Sequence, residues 1–202
     1  MTPQDRRENA VIEATVIGGS AGALEALASL LEGLPADLRV PIAIVVHIAR
    51  GKPSALASVL AGHSALPVCE AEDKAPLEPG HAYVAPPGYH VLLERGPRIA
   101  LSVDAPVNFS QPSIDVLFES AAAALGPGVA GVVLSGANDD GARGLFAIAE
   151  AGGVAMVQDP DEAGSRTMPE AAVRTCPRAA VTGVAGIRDR LVELDRRGRG
   201  SR

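Results

Sequence analysis

Thr15-Val16-Ile17-Gly18-Gly19-Ser20-Ala21-Gly22-Ala23-Leu24-Glu25-Ala26-Leu27 is an apolar run that ends in small residues and one serine, then takes up a helical pattern. From Gly18 through Ser20 to Gly22 it reads G-x-S-x-G, the pattern of a tight strand-to-helix turn with a serine hydroxyl exposed at the strand's carboxyl end. Glycines suit such a turn because it needs backbone angles and close approaches that a Cβ would block. Three readings compete for Ser20. It is an ordinary helix N-cap, part of a phosphate cradle, or a nucleophile. The cradle fits poorly, since Ser20 and Ala23 stand where G-x-G-x-x-G has its second and third glycines. A nucleophile needs a base and an orienting acid elsewhere in the chain.

Outward from this turn, strands and helices alternate. The pattern predicts a strand over 14–17, then a helix over 23–31 with Leu24, Leu27, Leu30 and Leu31 on its core face, ended by Gly33 and Pro35. A second strand over 41–47 is continuously apolar, as in a parallel sheet covered on both faces. Gly51-Lys52-Pro53-Ser54 leads into a helix over 55–61, and 67–69 is a short strand. The runs 82–85, 91–93 and 98–102, parted by Pro86-Pro87-Gly88 and Arg95-Gly96-Pro97, read as an antiparallel meander. Ser113 caps a helix over 114–125 that Gly126 stops. Strands over 129–134 and 154–157 and helices over 142–151, 169–175 and 187–196 complete the chain. The fold class expected is α/β: a doubly wound, mainly parallel sheet in a Rossmann-like three-layer arrangement, with an inserted antiparallel β meander. Residues 1–10 read as a disordered lead, 11–197 as one domain and 198–202 as a disordered basic tail.

Composition excludes several classes. The 202 residues suit one α/β domain. Aromatic residues make up 2%, with no Trp, which leaves no base-stacking surface. A net charge of −6 disfavours nucleic acid as a partner. Arg188, Arg190, Arg196, Arg197, Arg199 and Arg202 read as a solvated helix face and frayed tail. No apolar run is long enough for membrane insertion, and the polar residues 1–9 show no signal peptide. Cys69 and Cys176 share no close spacing and read as buried filler. These features together point to the cytoplasm.

In a doubly wound sheet every strand's carboxyl end faces one crevice, where ligands bind. Ser20, His47 and Asp140 each follow a predicted strand. If those strands are neighbours, a nucleophile, a base and an acid share one edge. A triad is recognised by geometry, not by chain order. Each residue also has a plainer role, His47 as a hydrogen-bonded edge residue and Asp139-Asp140-Gly141 as a turn and cap. His63, His81 and His90 form no metal-ligand spacing and read as structural or solvated.

Several segments then carry a resemblance. They are Ile17-Gly18-Gly19-Ser20-Ala21-Gly22, Val45-Val46-His47, Tyr83-Val84-Ala85-Pro86-Pro87-Gly88-Tyr89-His90, and Leu134-Ser135-Gly136 through Asp140-Gly141-Ala142. Phe109-Ser110-Gln111-Pro112-Ser113-Ile114-Asp115-Val116-Leu117-Phe118 and Met168-Pro169 also fit. Over about 16–181 the chain resembles the catalytic domain of the chemotaxis protein-glutamate methylesterases (CheB-type). The resemblance implies a Ser-His-Asp triad that hydrolyses glutamate methyl esters on the cytoplasmic helices of methyl-accepting chemoreceptors and deamidates particular receptor glutamines. It places the nucleophile on Ser20, the base on His47 and the acid on Asp140, with Asp139 displaced from the motif, and it implies no metal and no cofactor. Backbone N–H groups of Ala21, Gly136, Ala137 and Asn138 are the candidates for binding the oxyanion. Activity is expected to fall as pH drops through about 6.5, the ordinary histidine value, because the base acts only when neutral.

The chain departs from that family at four places. Ala21 stands where threonine is frequent, Ala23 where glycine is usual, and Ala137-Asn138 where Met-Gly is usual. Only a short lead precedes the first strand, so control by a receiver domain is expected to be absent, and a separate regulator in trans would replace it. The rival readings are a non-catalytic receptor-binding module, a serine esterase for another substrate, and a nucleotide-binding Rossmann domain. The last lacks the glycine pattern and has His47 where a ribose-binding acid belongs.

Overall fold

The computed structural model describes residues 10–47 and 55–200. Residues 1–9 of the lead expected over 1–10, the 51–54 approach to the second helix and residues 201–202 lie outside the described residues. Seven strands form the main sheet: β1 (Ala14–Gly19), β2 (Ile42–Val46), β3 (Val68–Glu70), β4 (Ala82–Val84), β7 (Val129–Val133), β8 (Val154–Gln158) and β9 (Ala180–Thr182). Among the described residues their order is β3-β4-β2-β1-β7-β8-β9, and every pairing is parallel. β1, β2 and β7 are buried along their whole length, which is why they read as unbroken apolar runs.

From β1 the chain builds outward through β2 and later returns to β7 on the other side of β1. That reversal opens the crevice beyond the carboxyl ends of the central strands. Helices α1 (Ala23–Glu32), α2 (Leu56–Ala61) and α6 (Val184–Gly200) share one core with Ile17, Ile42, Ile44 and Val132 through Leu27, Leu30, Leu60, Ile187 and Leu191. Helices α3 (Ile114–Leu125), α4 (Ala142–Glu150) and α5 (Thr167–Thr175) pack on the other face, where Leu117, Phe118, Leu145 and Ala172 meet Val16, Val45 and Val133.

The expected doubly wound sheet is present, with several local differences. The 82–85 run joins the main sheet as β4, so the expected meander is a two-stranded antiparallel hairpin, β5 (His90–Glu94) with β6 (Arg98–Ser102). Leu24 is 44% exposed, and Ala23, Ala26, Leu27, Leu30 and Leu31 make the buried face of α1. Cys69 is exposed on β3, whereas Cys176 is buried. Finally, α6 continues through residues 198–200, expected as tail, because Arg199 pairs with Asp195 one turn back and with Asp37.

Candidate active site

β1 ends at Gly19 beside Val46, the last residue of β2. Ser20 and His47 are therefore the next residues on adjacent strands, whose spacing is about 5 Å. The His47 N–H donates to Gly19 O at 3.2 Å, and the Ser20 N–H donates to Ser135 O at 2.9 Å. The serine is thus tied to β2 on one side and to the loop after β7 on the other. Gly22 has φ +76°, and a Cβ there would lie 2.8 Å from Ser135 Oγ. The chain can turn from β1 into α1 only with glycine at this position. At Gly18 a Cβ would lie 2.2 Å from Ile114 Cγ2, so α3 seats directly on the strand end. Ser20 has no N-cap role, since α1 starts from Gly22 without a side-chain cap bond.

The loop 135–141 brings Asp140 to the same rim. His47 Nε2 donates to Asp140 Oδ2 at 2.8 Å, the His47 side chain being 14% exposed and that of Asp140 wholly buried. With Nε2 bonded to the carboxylate, Nδ1 is the nitrogen left with a lone pair. The Asn138 carboxamide Nδ2 lies 3.4 Å from it. No hydrogen bond joins Ser20 Oγ to the imidazole among the described residues, so the serine and base are adjacent but not engaged. Asp139, one place earlier, is exposed.

Asp140 is held from several directions. Ser113 Oγ donates to Oδ1 at 2.9 Å, Ile114 N to Oδ2 at 2.7 Å and Asp115 N to Oδ1 at 3.1 Å. The start of α3 therefore points its free N–H groups at this carboxylate, where the helix dipole also favours negative charge. Burial alone would raise the Asp140 pKa. The bonds from His47, Ile114, Asp115 and Ser113 outweigh it and hold the carboxyl below its ordinary range.

The oxyanion candidates separate on geometry. The Gly136 N–H donates to Ser165 O at 3.1 Å and is engaged. Among the described residues, the N–H groups of Ala21, Ala137 and Asn138 find no backbone acceptor. Ser135 Oγ donates to Ala21 O at 2.7 Å and accepts from Ser165 N at 2.8 Å, which fixes the two loops against each other.

A model of the CheB methylesterase family matches residues 15–191. The chain belongs to that family. It is 41% identical over 183 residues to a protein of Leptospira interrogans named for methylesterase and glutaminase activities, covering 91% of this chain and 95% of that one. It is 39% identical over 186 residues to protein-glutamate methylesterase/protein-glutamine glutaminase 1 of Xanthomonas campestris, of which it spans 52%. The crystal structure of the Thermotoga maritima CheB methylesterase catalytic domain superposes with a TM-score of 0.86 at 29% identity, over 91% of this chain and 98% of that one. CheB-family membership makes the chain a hydrolase by descent. No helix among the described residues is long and apolar enough to cross a membrane.

This CheB-family chain also carries a supporting layer that the sequence reading did not assign. Asp115 is buried and accepts from Gly141 N at 2.9 Å, Gly144 N at 2.8 Å and Asn108 Nδ2 at 3.0 Å. Its carboxyl is pushed above the ordinary range, by burial first and by the nearby Asp140 charge as well, against the bond from Gly144. His90, read as structural or solvated, is structural: it is buried, takes the Ser113 N–H on Nδ1 at 3.1 Å and faces Ala105 O with Nε2 at 3.2 Å. The only sequence signal for this layer was the Ser113 cap, which does accept from Val116 N at 3.5 Å.

Proposed function

We propose that the protein is a serine hydrolase that demethylates glutamate methyl esters on chemoreceptor signalling helices and deamidates receptor glutamines at the same site. Ser20 Oγ attacks the ester carbonyl carbon as its proton passes to His47 Nδ1. Asp140 holds the imidazole in the tautomer that leaves Nδ1 free and stabilises the imidazolium. The oxyanion is met by backbone N–H groups of Ala21, Ala137 or Asn138, each donor being worth ~10²–10³ in rate where it has been removed in other enzymes. Collapse breaks the C–O bond, and the leaving methoxide takes the proton from His47 as methanol. Water then attacks the acyl-serine with His47 as base and frees the glutamate carboxylate. With a glutamine side chain the leaving group is ammonia. The Asn138 carboxamide beside Nδ1 moves aside when Ser20 engages, as apo-state bonds at such sites tighten only with substrate bound.

The observation that carries this reading is the 2.8 Å His47–Asp140 bond at the end of the strand paired with the one that delivers Ser20. The catalytic unit runs on through α6 to Gly200 and acts in the cytoplasm. Methanol release from a methylated receptor cytoplasmic fragment is the test. Wild type releases it, and Ser20→Ala does not while still binding the fragment. Release by Ser20→Ala at the wild-type rate overturns the reading. A wild type that binds the fragment but releases nothing marks a binding module instead.

A further inference from the structure

Beside the catalytic edge, one aromatic side chain stands wholly in solvent. Phe109 is 104% exposed. It is one of five aromatic residues in the chain, three Phe and two Tyr, and Phe118 and Tyr83 of that set are buried. A singly exposed apolar residue needs no explanation by itself. The backbone here does. Val107 and Ser110 exchange both N–H···O bonds, at 3.1 and 2.8 Å, and the two residues between them have positive φ, 49° at Asn108 and 61° at Phe109. That is the two-residue hairpin turn that Asn-Gly normally fills. Asn108 suits the left-handed region, but a bulky aromatic there is an outlier. Such outliers persist where surrounding structure over-determines them, and they cluster at ligand clamps.

The surrounding structure is the catalytic network itself. Asn108 Nδ2 bonds Asp115 Oδ2 at 3.0 Å and reaches Asp140 Oδ1 at 3.4 Å. Gln111 Nε2 donates to Asp104 O at 2.7 Å at the base of the same loop. His90 bonds Ala105 O and the Ser113 N–H and so ties this loop to the turn that carries Tyr89, itself 41% exposed. The Phe109 backbone is thus held one residue from a side chain that reaches the Asp140 carboxylate, while its ring stands fully exposed.

We propose that Phe109 is the anchor by which the protein grips the receptor helix that presents the ester, packing on apolar side chains one helical turn from the modified glutamate. This rests on the receptor-hydrolase reading and names how that substrate is held. A helix surface offers neighbours at i±3 and i±4 around any exposed glutamate side chain. An aromatic ring on a backbone held beside the crevice meets them when the ester enters. Aromatic anchors of this kind dominate protein interfaces. A small ester reaches Ser20 without touching the turn.

The test replaces Phe109 by Asn, which suits positive φ and leaves the turn intact, and by Tyr, which keeps the ring. Binding of a methylated receptor cytoplasmic fragment is titrated on a Ser20→Ala background, and methanol release and small-ester hydrolysis are measured with Ser20 present. Phe109→Asn is expected to weaken fragment binding about tenfold or more. The loss in kcat/KM for methanol release should appear in KM, with small-ester kcat/KM unchanged and the Tyr variant close to wild type. Fragment binding within twofold of the parent overturns the anchor, as does a parallel loss of small-ester activity, which would mark the turn as part of the catalytic scaffold. Fragment binding that depends on Phe109 without methanol release by wild type would sink the hydrolase reading and leave the anchor standing. Methanol release that ignores Phe109 would do the reverse. No binding and no release would remove both.

Discussion

Asp140 shows how one side chain can serve the proposed chemistry and the folding together. Its two wholly buried oxygens take hydrogen bonds from His47, Ser113 Oγ and the N–H groups of Ile114 and Asp115. Asp140→Asn keeps the shape but sets an amide N–H against donors and favours the wrong imidazole tautomer. Small-ester kcat should drop by roughly 10³–10⁴ with KM little changed, in line with the analogous change in other triads. Its effect on stability has a definite sign with pH. The folded-state pKa of Asp140 lies below the ordinary value, because its bonds outweigh the burial that would raise it. Its contribution is therefore complete above the unfolded-state value, about 3.9, and is lost as pH falls through the lower folded one. Asp115 runs the other way: burial raises it, so the fold favours its protonated form and that preference fades as pH rises. In urea titrations the gap between wild type and Asp140→Asn should narrow as pH falls below about 4. A gap that stays constant would show that the charge of Asp140 is not what the fold uses.

At the scale of elements, the site is a meeting of strand ends with helix starts. The β1–α1 turn was legible in sequence because its glycines sit at fixed offsets from an apolar run, and Gly22 does adopt φ +76°. Gly22→Ala should cost more than about 1 kcal/mol from the backbone angle alone and disturb Ser20 through contact with Ser135 and Gly164. Thermal unfolding and small-ester kinetics of that variant should fall together. The α3–α4 joint was not legible. Asp115 reaches Gly141 and Gly144 across 26 and 29 residues of chain, and no local pattern encodes such a bond. Asp115→Ala strips both N–H groups of their acceptor, at roughly 1–3 kcal/mol for each buried donor left unpaired. It should also lower kcat, since Asp140 immediately precedes the freed Gly141. Unchanged kcat in a destabilised Asp115→Ala would show that the joint supports the fold without positioning the triad. The 82–85 run was misassigned for a related reason: short strands look alike whether they pair parallel or antiparallel, and only β2 and β3 on either side decide it. β9 escaped notice because it has three residues and none is buried.

At the scale of the whole molecule, the two ends of the sheet have separate tasks. The carboxyl ends of β1, β2 and β7 hold the proposed chemistry. The opposite end is fastened by α6, where Asp195, 3% exposed, accepts from Arg39 N at 2.8 Å and Val40 N at 3.0 Å just ahead of β2. Arg199 bonds Asp195 Oδ2 and Asp37 Oδ2, so the helix end and the segment before β2 form one clasp. In the sequence Arg199 read as part of a solvated face and tail because its partner Asp37 lies 162 positions away. Substitutions at distant sites that share no partners usually act independently. Asp195→Ala therefore tests whether the poles are independent. It leaves two N–H groups without an acceptor and should reduce unfolding free energy by about 1–3 kcal/mol or somewhat more. Small-ester kcat/KM, measured well below the melting temperature, should stay within about twofold of wild type. A matching loss of activity in the folded variant would mean that the clasp at one end sets the geometry of Ser20 and His47 at the other, and that β2 transmits it.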